Sequence, residues 1–207
     1  MKKTIRVLLA DDHAIVRMGL KSLLEDEPDI AVVGEASDGV VAVEESLRLK
    51  PDIVVMDLMM PRRDGAVATA EILKALPETR VLILTTFSTS DGISHALESG
   101  AVGALLKNAA DLELIPAIRE VAAGKTCVSQ EIRHLLADDP PVKALTDRQR
   151  DILESVTRGL SNGEIAKQFS ITDITVRNHL SQIFAKIGAS TRAEAVAIAL
   201  RKQLLKI

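Results

Sequence analysis

The sequence predicts two domains: a doubly wound α/β domain built on a five-stranded parallel sheet, followed by a small all-α domain of four helices. Five short runs rich in β-branched residues and leucine alternate with segments of helical periodicity over the first part of the chain. The runs are continuously apolar, as expected for parallel strands that helices cover on both faces. Closely spaced helix-start signals after residue 145 predict the second domain.

The five predicted strands leave room for one helix in each interval between them. They are IRVLLA (5–10), IAVVGEA (30–36), IVVMD (53–57), RVLILTT (80–86) and GALLK (103–107). Apolar residues at helical spacing include Val16, Leu20 and Leu24 in the first interval, and Ala68 and Ile72 in the third. The alternation predicts a parallel sheet with helical connections, and no internal sequence repeat accompanies it.

Composition excludes several classes of protein. At 207 residues and 47% hydrophobic, the chain can bury a sizeable core. No run approaches the roughly 18 apolar residues of a membrane span, and the opening MKKTIRVLLADD is a poor signal peptide. The single cysteine, Cys127, can form no internal disulfide. We therefore predict a soluble cytoplasmic protein without membrane association.

Charge is distributed unevenly along the chain. Residues 1–142 hold 15 Lys and Arg against 23 Asp and Glu, a net charge of −8. Residues 143–207 hold 11 Lys and Arg against 6 Asp and Glu, a net charge of +5. The acidic part and the basic part are therefore expected to have different partners.

The boundary between the two parts is marked by a pair of prolines. Pro140 and Pro141 can neither continue a helix nor join a central strand. We predict a first domain at 1–125 and a second at 144–207, joined by a linker at 126–143.

Polar side chains follow four of the predicted strands where each strand ends. They are Asp11 and Asp12 after the first strand, Asp57 in the third, Thr85 in the fourth and Lys107 in the fifth. Such sheets bind their ligands outside the carboxyl ends of the strands. Carboxylates about 4 Å apart repel by about 4 kcal/mol at an effective dielectric of about 20, so the group requires a cation or a raised pKa. Hard oxygen ligands suit Mg²⁺.

Asp57 is the candidate nucleophile at this edge of the sheet. A carboxylate beside a divalent metal, a lysine and a hydroxyl can attack a phosphoryl group, because metal and ammonium neutralise the charge on the transferred oxygens. The sequence therefore indicates an aspartyl phosphate at Asp57.

Four motifs in this order resemble the receiver domain of bacterial two-component response regulators, over residues 4–123. They are DD (11–12), DLMMPRRDG (57–65), LTT (84–86) and GALLK (103–107). The resemblance implies a flavodoxin-like fold in which Asp57 accepts a phosphoryl group from a partner histidine kinase. It also implies Mg²⁺ ligation by Asp12, Asp57 and the backbone carbonyl of Met59, with Asp11 holding a metal-bound water.

The resemblance assigns further roles around the acceptor. Lys107 would bridge to the phosphate, and Thr85 would turn inward to meet it. The family commonly has an aromatic residue where this chain has Ala104, and that ring moves with the threonine on activation. The chain holds no Tyr or Trp, so Phe87 is either a replacement or a core residue. We expect the bulk of Met59 and Phe87 to slow the entry of hydrolytic water.

Hydroxyl residues followed three positions later by Glu or Gln mark helix starts in the basic part. These capping boxes are TDRQ (146–149), SNGE (161–164) and TRAE (191–194). Thr172 is a fourth helix start, and Gly159 and Gly188 stand where helices end. Four short helices result, and only SI separates the second from the third, which is the signature of a helix-turn-helix.

The third of these helices has two distinct faces. An apolar stripe is formed by Val176, Leu180, Ile183, Phe184 and Ile187. The opposite face and its margins carry Ile174, Arg177, Asn178, Ser181, Gln182 and Ala185. Short polar side chains with one arginine suit a helix that enters the major groove. The net charge of +5 also favours nucleic acid as the partner.

Residues 144–205 resemble the LuxR-type helix-turn-helix that follows the receiver in NarL/FixJ-class response regulators. The matching segments are LTDRQRDIL, GLSNGEIAKQF and ITDITVRNHLSQIFAKIGASTRAEAV. The class usually has Glu where this chain has Gln149, and either side chain can complete the capping box. The resemblance implies that base edges are faced by Arg177, Asn178 and Ser181. It implies that phosphates are faced by Asn162, Lys167, Thr172, Thr175 and Lys186.

We therefore expect a DNA-binding transcriptional response regulator, not an enzyme, in which phosphorylation promotes a homodimer on a two-fold operator. One alternative is a receiver-containing DNA-binding regulator controlled without phosphorylation, which Ala104 keeps open. Another is a phosphatase with an aspartyl-phosphate intermediate. That enzyme would need a second carboxylate where this chain has Met59, and it gives the basic part no role.

Overall fold

The chain folds into two compact units that divide after Pro140, each with its own core. The computed structural model describes residues 4–86, 89–142, 145–202 and 204–205. The first unit is an α/β domain and the second is all-α, so the predicted fold class of each part is confirmed. None of the helices in these ranges combines the length and the apolar content that a membrane span requires.

A parallel sheet of six strands forms the centre of the first unit, within its described residues. The strands are β1 (Ile5–Ala10), β2 (Ile30–Ala36), β3 (Ile53–Met56), β4 (Arg80–Thr85), β5 (Gly103–Leu106) and β6 (Cys127–Val128). Their order in the sheet is β2-β1-β3-β4-β5-β6. The five predicted strands are confirmed, and β6 is an addition. Because Ala10 lies opposite Met56 in neighbouring strands, the residues that follow each emerge side by side.

Helices cover both faces of the sheet, which confirms the doubly wound arrangement. They are α1 (Ala14–Glu25), α2 (Gly39–Leu49), α3 (Gly65–Ala75), α4 (Ser90–Glu98) and α5 (Ala110–Ala122). A 3-10 turn at Lys107–Ala109 leads from β5 into α5. Side chains of α1 and α5 share one buried cluster with Val7 and Leu9, whereas α2, α3 and α4 share another with Leu8 and Ala10.

The segment predicted as a linker, 126–143, belongs largely to the first unit, so the predicted boundary was wrong. β6 pairs with β5 through two residues, and α6 (Gln130–Asp138) follows it. The reason is an apolar anchor: Ile132 of α6 is completely buried in the cluster beneath α4. At the end of α6, Ser90 Oγ of α4 donates a hydrogen bond to Asp139 Oδ2 at 3.0 Å.

Position 104, which is commonly aromatic in the family, holds a fully buried alanine on β5. Ala104 belongs to the same buried cluster as Ile132, so α6 contributes to the packing on this face of the sheet. Phe87, the suggested replacement for the ring, lies outside the described residues, and its role stays a prediction.

The loop that follows β3 turns back on itself at Gly65, the first residue of α3. A Cβ atom at this position would lie 2.1 Å from the carbonyl oxygen of Asp57, far inside van der Waals contact. The Gly65 N–H donates to the carbonyl of Leu58 at 2.9 Å. Asp64 caps α3 by accepting a hydrogen bond from the Val67 N–H at 2.8 Å. Glycine therefore allows the loop to hold Asp57 close to the start of α3.

Four helices form the described part of the second unit, as predicted. They are α7 (Asp147–Thr157), α8 (Asn162–Phe169), α9 (Asp173–Ile187) and α10 (Arg192–Arg201). The capping boxes that open α7 and α8 are complete, with both reciprocal hydrogen bonds present. At α10 the box is one-sided: Thr191 caps the helix, but the Glu194 carboxylate accepts from the Ser190 N–H instead.

The turn between α8 and α9 is as short as predicted. Ser170 ends α8 in the left-handed conformation, with φ of 53°, and Thr172 caps α9. The predicted apolar stripe of α9 faces the core: Val176, Leu180 and Ile183 are buried with Ile187, and Phe184 packs against them. This packing fixes which face of α9 remains exposed.

Candidate acidic site and candidate nucleic-acid interface

Asp11 and Asp57 lie side by side at the carboxyl edge of the sheet. Each follows the last residue of its strand, and the Asp57 N–H donates to the carbonyl of Ala10 at 2.8 Å. Asp11 is 2% exposed and Asp57 is 4% exposed, whereas Asp12 is exposed. Two buried carboxylates placed together require a positive charge nearby.

Lys107 supplies that charge from the residue after β5. Its Nζ lies 2.5 Å from Asp11 Oδ2 and 2.9 Å from Asp57 Oδ2. The other oxygen of Asp11 accepts a hydrogen bond from the His13 N–H at 2.9 Å. Asp57 Oδ1, by contrast, is buried and has no hydrogen-bond partner among the described residues. One oxygen of the Asp57 carboxylate is therefore left for a ligand.

The ionisation of the site reflects both burial and charge. Burial raises the pKa of Asp57 above its ordinary value of 3.8; Lys107 opposes this effect, and the charge of Asp11 adds to it. Burial alone would lower the pKa of Lys107, but its contacts with Asp11 and Asp57 outweigh burial and raise it. Lys107 is therefore held in its protonated form, whereas ionisation of the Asp57 carboxylate is less favourable than in water.

An Asp57→Asn variant is expected to unfold at a higher urea concentration than wild type at pH 7 in metal-free buffer. Since the folded pKa of Asp57 lies above its unfolded value, the ionised carboxylate lowers stability above that folded pKa. The gain is on the order of 1 kcal/mol, the size of one unsatisfied buried group. It should shrink as the pH falls toward 3.8, where both states protonate. Urea titrations between pH 7 and pH 5 measure it.

The control for this prediction removes an aspartate charge elsewhere. Asp26 is exposed at the end of α1, and Asp26→Asn should show no comparable pH-dependent difference from wild type. An Asp57→Asn variant that is less stable than wild type at pH 7 would contradict the argument.

The cluster has the composition of a site for a divalent cation. Ligand atoms of Asp11, Asp12, His13 and Asp57 all lie within 4.8 Å of one another. Asp57 contributes one of its carboxylate oxygens to this group. Carboxylate oxygens are the ligands that hard divalent cations prefer. The residues present therefore fit such an ion.

Thr85 and Met59 lie at or just beyond the carboxyl ends of β4 and β3. Thr85 is the last residue of β4, the strand between those that lead to Asp57 and Lys107, and it is 1% exposed. Met59 lies in the loop after β3 and is 56% exposed. The structure thus brings Asp11, Asp57 and Lys107 into contact and places Thr85 at the same edge of the sheet.

His13 is the member of the cluster that sequence reasoning missed. Its Nδ1 lies 2.7 Å from Asp12 Oδ1 and 3.4 Å from Asp11 Oδ1. The only signal in the sequence is its position directly after the acidic pair. Its spacing from the other histidines, which is the usual criterion for a metal ligand, gave no indication.

The outer face of α9 is exposed, as predicted. Its exposed residues are Ile174, Arg177, Asn178, Ser181, Gln182 and Ala185. Ile174 is 71% exposed. The Arg177 Nε lies 2.6 Å from Asp173 Oδ1, one turn earlier, and its side chain is 71% exposed. The predicted base-reading residues are therefore accessible.

The two threonines predicted to face phosphates, Thr172 and Thr175, lie at the N-terminus of α9, where Thr172 caps the helix. Thr172 Oγ1 accepts a hydrogen bond from the Thr175 N–H at 3.2 Å, and the two hydroxyl oxygens lie 2.9 Å apart. Lys167, on α8, is exposed. These three side chains lie beside the turn between the two helices, where a DNA backbone crosses a helix-turn-helix.

The other two predicted phosphate-facing residues contact neighbouring helices. Asn162 Oδ1 accepts a hydrogen bond from Arg192 Nη1 at 3.4 Å, and Lys186 Nζ donates to Gln149 Oε1 at 2.7 Å. Gln149 also completes the capping box of α7. Lys186 therefore links α9 to the start of α7.

An arginine holds the end of α8 against α7. The Arg148 guanidinium lies 4.3 Å from the centre of the Phe169 ring, and its Nη2 donates to the Phe169 carbonyl at 3.1 Å. Phe169 is the last residue of α8, so this contact fixes the position of the turn that leads into α9. Neither residue was singled out from the sequence, because the contact joins residues 21 positions apart.

Comparison with known families accounts for both units. Residues 7–119 match the response regulator receiver domain. Residues 143–199 match the bacterial regulatory proteins of the luxR family. The first match contains the acidic site, and the second contains α8 and α9.

Individual relatives match the chain over almost its whole length. The oxygen regulatory protein NreC of Staphylococcus aureus is 37% identical, over 98% of this chain and 100% of that protein. The response regulator ChrA of a heme-sensing two-component system is 38% identical, covers 98% of this chain and 99% of its own, and has a TM-score of 0.58. RcsB from Salmonella enterica serovar Typhimurium, bound to a promoter in the presence of the phosphomimetic BeF3−, is 25% identical over 95% and 98% of the two chains, with a TM-score of 0.70. The chain therefore belongs to the NarL/FixJ class of two-component response regulators, which join a receiver domain to a LuxR-type DNA-binding domain.

Proposed function

We propose that Asp57 accepts a phosphoryl group from a sensor histidine kinase and that this phosphorylation controls operator binding by the second unit. The observation that carries the proposal is the arrangement of one carboxylate: Oδ2 of Asp57 is held by Lys107, while Oδ1 is buried and unpartnered among the described residues. A carboxylate can act as a nucleophile toward phosphorus, and Oδ1 of Asp57 is the oxygen left to do so.

Each residue of the site has a different role in phosphoryl transfer. Asp57 Oδ1 forms a bond to phosphorus as the bond from phosphorus to the kinase histidine nitrogen breaks, and the electron pair leaves with that nitrogen. Lys107 Nζ is positioned to pair with the transferred oxygens. The Thr85 hydroxyl donates a hydrogen bond to a second phosphate oxygen. Asp12, Asp57 and the backbone carbonyl of Met59 would hold Mg²⁺, with Asp11 holding a metal-bound water, and the ion would supply further positive charge at this edge of the sheet.

Phosphorylation is proposed to shift the chain toward a homodimer that binds a two-fold operator. A phosphate can favour one state only through contacts that it makes better there, and Lys107 and Thr85 provide such contacts. Two solved structures of the relative RcsB support the proposal: one has RcsB bound to a promoter in the presence of a phosphomimetic, and another has two RcsB dimers bound to two parallel DNAs. In a bacterium, a regulator of this kind acts in the cytoplasm, where the chromosome is.

In the second unit, the proposal assigns the accessible face of α9 to the major groove. Arg177, Asn178 and Ser181 would read base edges. Phosphates would be contacted by Asn162, Lys167, Thr172, Thr175 and Lys186.

The phosphorylation proposal is tested by the intact mass of the full chain after incubation with a small phosphodonor, with and without Mg²⁺. Wild type should gain one phosphoryl group in a Mg²⁺-dependent manner and elute as a dimer on sizing. Asp57→Asn should gain none, whereas Asp26→Asn, which removes the same charge at an exposed position, should behave as wild type. No gain in wild type under any condition would move the protein to regulators controlled without phosphate.

A Met59→Asn variant is expected to lose its phosphoryl group several times faster than wild type. Met59 lies two residues after Asp57 and is 56% exposed, so its side chain is available to cover the acceptor against water. The decay of the phosphorylated mass after removal of the phosphodonor measures the lifetime. Leu47→Asn, an equivalent change at a 45% exposed position on α2, should leave the lifetime unchanged. Equal lifetimes for Met59→Asn and wild type would sink the hypothesis.

A further inference from the structure

His13 stands at the start of α1 with its imidazole directed at carboxylates. It is the N-cap residue of the helix, yet its side chain makes no capping hydrogen bond. Its Nδ1 lies instead 2.7 Å from Asp12 Oδ1 and 3.4 Å from Asp11 Oδ1. Histidine is not among the residues that helix N-caps favour, so helix formation does not account for it.

The distances are those expected of neighbouring ligands on one ion. In an octahedral site with bonds of about 2.1 Å, adjacent ligand atoms lie about 3 Å apart and opposite atoms about 4.2 Å apart. The 2.7 Å separation from His13 Nδ1 to Asp12 Oδ1 is close to the first value. Asp57 offers a further carboxylate oxygen in the same group of ligand atoms. The buried, unpartnered Oδ1 of Asp57 is an independent sign that the cluster receives a ligand.

We propose that His13 is a ligand of the acidic site and gives it a preference for divalent transition ions, of the Mn²⁺, Co²⁺ and Zn²⁺ kind, over Mg²⁺. Imidazole nitrogen suits these ions, whereas Mg²⁺ is bound through oxygen. The inference rests on the proposed metal site at Asp12 and Asp57. The binding of Mg²⁺ is assigned to the oxygen ligands alone, and the additional affinity for transition ions is assigned to His13.

The site is tested by calorimetric titration of the full chain with Mg²⁺, Mn²⁺ and Co²⁺, and by the visible absorption of bound Co²⁺. In His13→Ser, the affinity for Co²⁺ should fall about tenfold, that for Mn²⁺ should fall less, and that for Mg²⁺ should stay within about twofold. The Co²⁺ spectrum should change because one nitrogen ligand is lost. Serine is a favourable N-cap, so α1 should not be weakened.

Two further variants separate the possible failures. His134→Ser removes an exposed histidine from α6 and should leave all three titrations unchanged. Asp12→Asn should weaken every ion, Mg²⁺ included. An equal loss for all ions in His13→Ser, or no loss for any, overturns the role of His13 while the metal site stands. If wild type binds no ion at all, the proposed metal site itself fails, and the role of His13 fails with it.

Discussion

Replacement of Lys107 by methionine is expected to lower the free energy of unfolding by about 3 kcal/mol in metal-free buffer, and to slow phosphoryl acceptance. The Nζ of Lys107 is in contact with both Asp11 and Asp57, and only 8% of its side chain is exposed. Methionine fills similar volume without charge, so two buried carboxylates would lose the cation between them. Urea unfolding followed by circular dichroism measures the difference.

The pH dependence of stability in the Lys107→Met variant shows whether the loss comes from the unpaired carboxylates. Without the ammonium, burial raises the pKa of Asp57 further, so the deficit is complete at neutral pH and shrinks as the pH falls and Asp57 protonates. Millimolar Mg²⁺ should restore part of the loss, because a bound ion stabilises the folded state. Lys21→Met removes a lysine whose Nζ lies 3.3 Å from Glu35 at the surface, and it should cost less than about 1 kcal/mol. Equal midpoints for the two variants would refute the argument.

An Asn178→Asp substitution is expected to weaken specific DNA binding more than tenfold without unfolding the domain. Asn178 is exposed on the outer face of α9, away from the buried stripe. A bidentate amide contact to a base is worth about 1–3 kcal/mol, and a carboxylate at this position also repels the phosphates. Binding is measured with an operator that wild type selects from random duplexes, at fixed salt concentration.

Two other variants are controls for the Asn178→Asp experiment. Gln130→Glu adds the same charge at an exposed position of the first unit, and operator affinity should not change. Lys167→Ala should weaken all sequences alike and reduce the slope of log K against log salt by about 1, as for the loss of one phosphate contact. If Asn178→Asp binds the selected operator as tightly as wild type, α9 does not enter the groove through this face.

Much of the first unit could be predicted from the sequence because its strands and site residues are marked by local patterns. The five longer strands are apolar runs of four or more residues, and the acidic residues and Lys107 follow directly from their ends. The sixth strand, β6, has only two residues, Cys127 and Val128, which is too short to show periodicity. It forms a strand only because it pairs with β5. The prolines at 140 and 141 mark the end of the unit, but nothing local shows that Ile132 is buried.

Contacts between distant residues explain the remaining differences. The proximity of His13 to Asp12 depends on how the loop after β1 turns into α1, which the DDH triplet alone does not determine. In the second unit, helix starts and the apolar stripe of α9 were predictable because capping and periodicity are local. The bond from Lys186 to Gln149 joins two helices and could not be inferred from either.

β6 and α6 also protect the sheet from other chains. The Cys127 and Ser129 N–H groups donate to the carbonyls of Val102 and Ala104, which would otherwise lie on an open edge. A fragment cut at residue 125 leaves β5 as an edge strand and uncovers the apolar surface beneath Ile132, which together favour self-association. Dimers of such a fragment would report a damaged edge rather than phosphorylation, so a receiver fragment for sizing experiments must extend to residue 140.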